Sequence, residues 1–443
     1  MSRHSIEVFS KLNNQINKLE RQKDELDLLT KNTYFSRKPR KLSFKDDIKI
    51  IMSLTSHSLK KELYDYFDLD LNTVSTPGFI ESRSKIKDNT FKYLIDYMNK
   101  AYPCTNTYKG YRLLAVDGSD INISLDKNDK DTIKINGTNN KPAAQVHLNA
   151  LYDVLNYRYL DAVIQGVKTS DERAAMIELS ERYKGDKAIF IADRNYISYN
   201  LFEHIRHTGN YFLIRLKDIN SNTSVLKRFK ALPKKSEFDK EMDVTFTNKQ
   251  TKEVKAQPHK YISIMTSQHF DYLDKNNHFY DASYRVVRIK INGKDEEYES
   301  LITNIPKDEF DSNDIKELYK RRWGIEVSYR HLKYSVSLNV THSKRRDFIK
   351  QEIWAKLLMF NISMIIIDKV LETKFKKTIR KHEYQVNISM AMYLIMSCIK
   401  KKGGAPPNLL NLIAKEILPI RPNRSSIRTV RSHSFVSFGY RFN

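Results

Sequence analysis

Cysteine is almost missing: Cys104 and Cys398 are the only two in 443 residues, and neither has a local partner. That argues against a disulfide framework and a zinc site, and leaves two inert thiols. Glycine is scarce too, at 12 residues with no glycine-rich phosphate loop, which disfavours an ATP-driven enzyme. Long apolar runs are lacking. The most apolar stretch, Leu357 to Val370, is shorter than the roughly 20 residues a bilayer requires, and it carries Asn361 and Asp368. It reads as a buried core helix. The opening segment, MSRHSIEVFSKLNNQ, has no apolar signal core, so a cytoplasmic location is expected. His204, His207, His331 and His342 lack the spacing of a metal pair and read as surface or core histidines. No internal repeat is present. Acidic side chains are in deficit, with 53 against 77 Lys and Arg, a net charge of +24. Such an excess favours a polyanionic partner, and 26 Tyr and 21 Phe add stacking and packing surface.

What is present begins with two apolar runs that end in aspartate. Arg112 to Val116 leads to Asp117 with a turn signal at Gly118, and Ala188 to Ala192 leads to Asp193. Continuous apolar runs bounded by turn signals fit strands buried on both faces. Two more strand-like stretches, Gln145 to Tyr152 and Tyr157 to Gly166, lie between them, followed by a helix from about Ser170 to Tyr183. This order is that of an RNase H-like sheet, in which the two aspartate-bearing strands lie side by side. A third carboxylate should then arrive from a later helix.

Glu326 is that candidate. Tyr319, Arg322, Glu326 and Lys333 stand at offsets of 0, 3, 7 and 14. At about 100° per residue these offsets fall within roughly a 60° arc of one helix. A carboxylate suits a divalent metal, and a phenol, a guanidinium and an ammonium suit phosphate oxygens beside it. The bland alternative is a solvated, charged face of an amphipathic helix. Asp117 and Asp193 upstream weigh against that alternative.

The spacing Tyr, two residues, Arg, three residues, Glu, six residues, Lys resembles the DDE transposases of bacterial insertion sequences. The likeness is to the insertion-sequence-4 branch, which is Tn5-transposase-like. Asp117 in VDGS and Asp193 in ADRNY match that family's first two motifs, although Asn195 stands where a small residue, commonly Gly, is usual. Arg37 to Phe44 and Ser58 to Leu63 also resemble its N-terminal region. The resemblance implies an α/β fold: an RNase H-like mixed sheet flanked by helices, interrupted by a β-rich insertion at about 217–305. Within the insertion, Tyr261 to Met265 and Tyr284 to Ile291 read as strands, with Asn292-Gly293 as a hairpin turn. Leu301 to Ile305 would return the chain to the core. Three regions are expected: 1–105, helical and binding DNA ends; 106–345, catalytic; and 346–443, helical with a basic tail.

The site residues follow from the same resemblance. Asp117, Asp193 and Glu326 would be catalytic and would hold two Mg²⁺ ions, with Mn²⁺ able to substitute. Tyr319, Arg322 and Lys333 would bind DNA phosphates, with Arg194 as a weaker candidate. Trp323 either stacks on a base or anchors its helix in the core. Implied partners are double-stranded DNA, as terminal inverted repeats and as target, and a second copy of the chain in a synaptic homodimer. Helical patterns at 6–30, 44–56, 58–67 and 88–100, with the basic segment Arg37 to Lys41, suit an end-reading module or a plain helical bundle. Helices are also expected at 349–371 and 384–400, and the tail from Arg421 to Arg441 either tracks phosphates or is disordered. The activity expected is DNA cleavage and joining of 3′ ends to a target. The alternatives are an RNase H-like nuclease without strand transfer and a non-catalytic DNA-binding relative.

Overall fold

The computed structural model describes residues 4–31, 35, 41–135, 142–228, 232–233, 236–264, 268–291, 297–374, 384–400 and 406–420. Most of the basic arm, the Asn292-Gly293 turn and the basic tail lie outside the described residues.

Six helices open the chain: α1 (His4–Arg21), α2 (Lys23–Leu29), α3 (Phe44–Ser53), α4 (Leu59–Tyr66), α5 (Thr76–Arg83) and α6 (Asn89–Ala101). The helix expected over 6–30 is therefore two, divided at Gln22. α3 starts at a capping box, in which the Ser43 side chain accepts from the Asp46 N–H and Asp46 accepts from the Ser43 N–H. α5 was not foreseen, yet its local signal is present: the Ser75 hydroxyl caps the Gly78 N–H, and Pro77 occupies the first turn.

A strand-rich stretch follows, with β1 (Arg112–Ile123), β2 (Ile133–Ile135), β3 (Pro142–Asp153), β4 (Arg158–Gly166), α7 (Glu172–Arg182), β5 (Ala188–Ala192), α8 (Tyr199–His207) and β6 (Tyr211–Leu216). β3 runs antiparallel to both β1 and β4, whereas β1, β5 and β6 are parallel. The central order β4-β3-β1-β5-β6 is the RNase H-like arrangement that the element order predicts. Next come β7 (Phe238–Thr247), α9 (Lys252–Ala256), β8 (Tyr261–Ser263), β9 (Phe279–Lys290) and β10 (Tyr298–Thr303). These strands extend the same sheet, because β10 pairs antiparallel with β6 and the order continues β10-β9-β7-β8. Buried arginines fix this extension: Arg288 pairs with Asp218 at 2.8 Å and Arg285 with Asp239 at 2.7 Å.

Period-two alternation divides the central strands between two cores. Leu113, Ala115, Ile189, Ile191 and Leu213 face one; Leu114, Val116, Phe190, Ala192, Phe212 and Ile214 face the other. The first core is covered by helices from both ends of the chain. After α10 (Ser312–Arg321) and α11 (Trp323–Tyr334) comes α12 (Arg346–Lys374), then β11 (Tyr384–Val386), α13 (Ile388–Lys400), α14 (Leu409–Lys415) and β12 (Ile417–Pro419). The expected helix over 384–400 thus starts late, because its first residues pair with β12. α12 is buried along most of its length. Arg83 of α5 meets Glu352 of α12 at 3.0 Å, both almost fully buried, and also donates to Gln351 and to the Phe348 carbonyl. The Asn361 amide brackets the backbone of β4, accepting from the Tyr159 N–H at 2.8 Å and donating to the Tyr159 carbonyl at 2.7 Å. Among the described residues no helix is long and apolar enough to cross a membrane.

Candidate active site

Asp117 does not end its strand. β1 continues to Ile123, because β3 keeps pairing with it from Asp117↔Ala150 to Ile123↔Ala144. On its other side the parallel partner β5 stops at Ala192. The register Ala115↔Ile191, carried forward two residues, brings Asp117 level with Asp193. The sheet therefore opens at Asp117, and both aspartates stand at that opening. Asp193 caps a short 3₁₀ turn, Arg194–Tyr196, by accepting from the Asn195 N–H at 2.8 Å. Asn195 is not among the residues of positive φ, so it needs no left-handed backbone here.

The third acid is brought in by α11. Tyr329 donates to the carbonyls of Asp117 at 2.7 Å and Leu148 at 3.2 Å, which pins the helix on β1 at the level of Asp117. Ser328 meets the buried Tyr159 hydroxyl at 2.8 Å. Glu326 lies one turn before these anchors. The single helix expected from Tyr319 to Lys333 is instead two, joined at Arg322. At the junction the Arg322 N–H bonds the Tyr319 carbonyl and the Ile325 N–H bonds the Arg322 carbonyl, both reaching three residues back rather than four.

The electrostatics tie these groups together. Burial pushes the Asp117 carboxyl up to about 7, and the charges of Asp193 and Glu326 push the same way, against the pull of Arg322. Arg322 is half-buried and binds Glu326 at 2.8 Å. Tyr319 is buried, and its hydroxyl has no hydrogen-bond partner; burial raises it to about 12, with Arg322 opposing and Asp193 adding. Lys333 donates to the Asp120 carbonyl at 3.0 Å, and burial lowers its ammonium despite Asp120 and Asp117. All four residues of the spaced motif, with Asp117 and Asp193, thus gather in one neighbourhood. Arg194 is exposed beside it. Trp323 is 48% exposed, so it does not anchor the helix in the core.

One cluster was missed from sequence. His147 on β3 lies opposite Asp120 on β1, 2.7 Å from its carboxylate and 3.3 Å from Glu172 at the start of α7. Burial would lower this imidazole, but the two carboxylates outweigh it and hold it up at about 9. A Cβ on Gly118 would come within 2.4 Å of His147 and 2.5 Å of Glu172, so only glycine admits them next to Asp117. The hairpin register offered a signal for His147, whereas Glu172, which opens α7, reads from sequence as no more than helix-end chemistry.

Three carboxylates offer hard oxygen donors, and a cation would relieve the mutual repulsion that raises Asp117. Among the described residues, however, no group of three or more His, Cys, Asp or Glu side chains is gathered closely enough to hold one ion. One Glu326 oxygen is taken by Arg322.

Residues 108–362 match the transposase DDE domain. The chain belongs to that family. Transposase InsG for insertion sequence element IS4, from Escherichia coli strain K12, is 26% identical over 128 residues, 28% of this chain and 29% of that protein. The transposase for insertion sequence element IS421 from Escherichia coli is 29% identical over 72 residues, 16% of this chain and 18% of that one. The chain therefore spans less than a third of the length of these relatives. Among solved structures, a piggyBac transposase synaptic complex with hairpin DNA aligns with a TM-score of 0.43 and 13% identity, covering 94% of this chain and 84% of that one.

Proposed function

We propose that this protein binds the terminal inverted repeats of an insertion sequence, cleaves the DNA, and joins the 3′ ends to a target. One observation carries the reading: Asp117, a carboxyl raised by burial and then by the charges of two further acids, stands level with Asp193 just past β5 and is bonded through its carbonyl to the helix that bears Glu326. Such mutual repulsion is costly in an empty site and useful in one that receives cations. Asp117, Asp193 and Glu326 are the residues that would hold Mg²⁺, or Mn²⁺ in its place. Two such ions, when bound, would activate the attacking oxygen and stabilise the leaving one.

The remaining roles belong to the chain itself. Arg322 sits where it neutralises Glu326 and can turn to a phosphate oxygen as DNA arrives. Tyr319 brings a buried, unpaired hydroxyl that an incoming phosphate oxygen would satisfy. Lys333 and the exposed Arg194 would hold the phosphodiester backbone without reading bases. The net charge of +24 supports binding to double-stranded DNA, both transposon end and target. A homodimer would bring two ends together.

The test is a strand-transfer assay with the element's terminal repeats, target DNA and Mg²⁺ or Mn²⁺. Joined products are expected, and nicks without joined species would favour a nuclease without strand transfer. Glu326→Gln is expected to abolish cleavage while DNA binding persists. A variant that still cuts would overturn the assignment.

A further inference from the structure

Pairing between β1 and β5 does not fix the gap between Asp117 and Asp193. Its last pair is Ala115↔Ile191, two residues short of both acids. The first turn of α7 spans that gap from behind. Leu114 and Val116 lie in the second core, so Gly118 and Asp120 face the same way by alternation, opposite to Asp117. α7 packs on that face through Met176 and Leu179. Two adjacent residues of its first turn reach to opposite sides. Glu172 stands 3.3 Å from His147, which binds the Asp120 carboxylate at 2.7 Å, and its own carboxylate packs against Gly118. Arg173 Nε donates to the Asn195 carbonyl at 3.0 Å. The same Asn195 gives its N–H to the Asp193 carboxylate at 2.8 Å. The turn is itself tied to the sheet. Asp171 caps the N–H groups of Arg173 and Ala174. Gln165 Oε1 accepts from the Asp171 N–H at 3.2 Å and from the Asn149 amide at 3.1 Å, and Asn149 pairs with Gly118.

We propose that Glu172 and Arg173 are positioning residues, the two ends of a brace that sets the spacing of Asp117 and Asp193 and so the affinity of the site for a divalent cation; this rests on the function proposed above. Each acts through an intermediary. Glu172 holds the strand of Asp117 through His147 and Gly118, on the face that leaves the Asp117 carboxylate free. Arg173 holds Asn195, which in turn orients the Asp193 carboxylate. Outer partners of this kind fix the direction of metal-binding carboxylates, and losing one weakens metal binding by about 10–100-fold.

The test is Mn²⁺ binding to the full-length protein without DNA, read from the fall of the free-ion electron paramagnetic resonance signal. Leaving DNA out removes any effect of the exposed Arg173 on a phosphate. Glu172→Ala and Arg173→Ala keep α7 helical, since alanine favours helix and the Asp171 cap stays. Each should weaken Mn²⁺ binding by about tenfold. Freeing either end releases the brace, so the double variant should also lose about tenfold rather than about a hundredfold. Should Glu172→Ala fail to fold, Glu172→Gln keeps the shape, loses the charge and gives the same reading. Arg182→Ala breaks ion pairs to Asp161 and Glu178 at the other end of α7, and should leave Mn²⁺ binding within about twofold. Single variants that bind like wild type, losses that multiply in the double variant, or an equal loss in Arg182→Ala would overturn the proposal. A wild-type protein that binds no Mn²⁺ and neither cuts nor joins DNA would instead sink the functional reading, and the brace with it.

Discussion

Asp117→Asn should make the protein more stable while abolishing cleavage, and the gain should depend on pH. Raising a carboxyl from its ordinary 3.8 to about 7 corresponds to about 4 kcal/mol at about 1.4 kcal/mol per tenfold change. Solvent relaxation around a site that opens at the sheet edge reduces this, so about 2 kcal/mol is the expected gain near pH 8. For a chain of this length that is roughly 2 °C in melting temperature. Between about pH 7 and pH 4 the folded state holds a proton on Asp117 that the unfolded state has released. The wild-type protein therefore gains stability from this group as pH falls through 7. An asparagine has no charge to lose, so the gap between variant and wild type should narrow steadily below pH 7 and close only by about pH 4. Taking the difference between the two proteins cancels the other titrating groups. Thermal unfolding at several pH values, without metal, gives the result directly. Mg²⁺ should then raise the wild-type melting temperature and leave the variant's unmoved. A gap that stays constant across pH, or a variant less stable near pH 8, would refute the electrostatic argument.

Tyr329→Phe removes the one hydroxyl shared between the Asp117 and Leu148 carbonyls, so it should cost about 1–2 kcal/mol in urea unfolding and lower cleavage more than DNA binding. Glu352→Ala strands Arg83 and should cost about 3–5 kcal/mol by the same measurement. Glu352 also carries an acid sensitivity. Burial raises its carboxyl, but His342 and Arg83 outweigh burial and hold it at about 2. Its stabilising contribution is therefore complete above about pH 4.5 and should fade as pH drops towards 2, which acid titration of the unfolding midpoint will detect.

The parts of the fold legible in sequence are those whose cause is local. β5 falls on the predicted residues because a strand buried on both faces reads as an unbroken apolar run. The continuation of β1 past Asp117 was not legible. Gly118 reads as a turn, and only pairing with β3, about thirty residues away in sequence, makes it and the residues after it strand. The break at Arg322 had no signal either, since both sides keep a helical pattern and Arg322 itself has helical φ and ψ of −50° and −35°. Likewise, the joining of the first helices to α12 depends on Arg83 reaching Gln351, 268 residues along.

The same division explains the site. The spaced motif singled out Tyr319, Arg322, Glu326 and Lys333 on the expectation of one helical face, but a continuous helix is not what joins them. Their meeting with Asp117 and Asp193 follows from two long-range constraints. The parallel register of β1 and β5 sets the aspartates level, and the Tyr329 hydroxyl fixes α11 on the Asp117 carbonyl. Backbone hydrogen bonds thus hold the acids together against their own repulsion. Asp117, raised by burial and then by the charges of its acidic neighbours, bears the cost of that arrangement. A carboxyl so perturbed is expected where a fold keeps groups ready for a ligand.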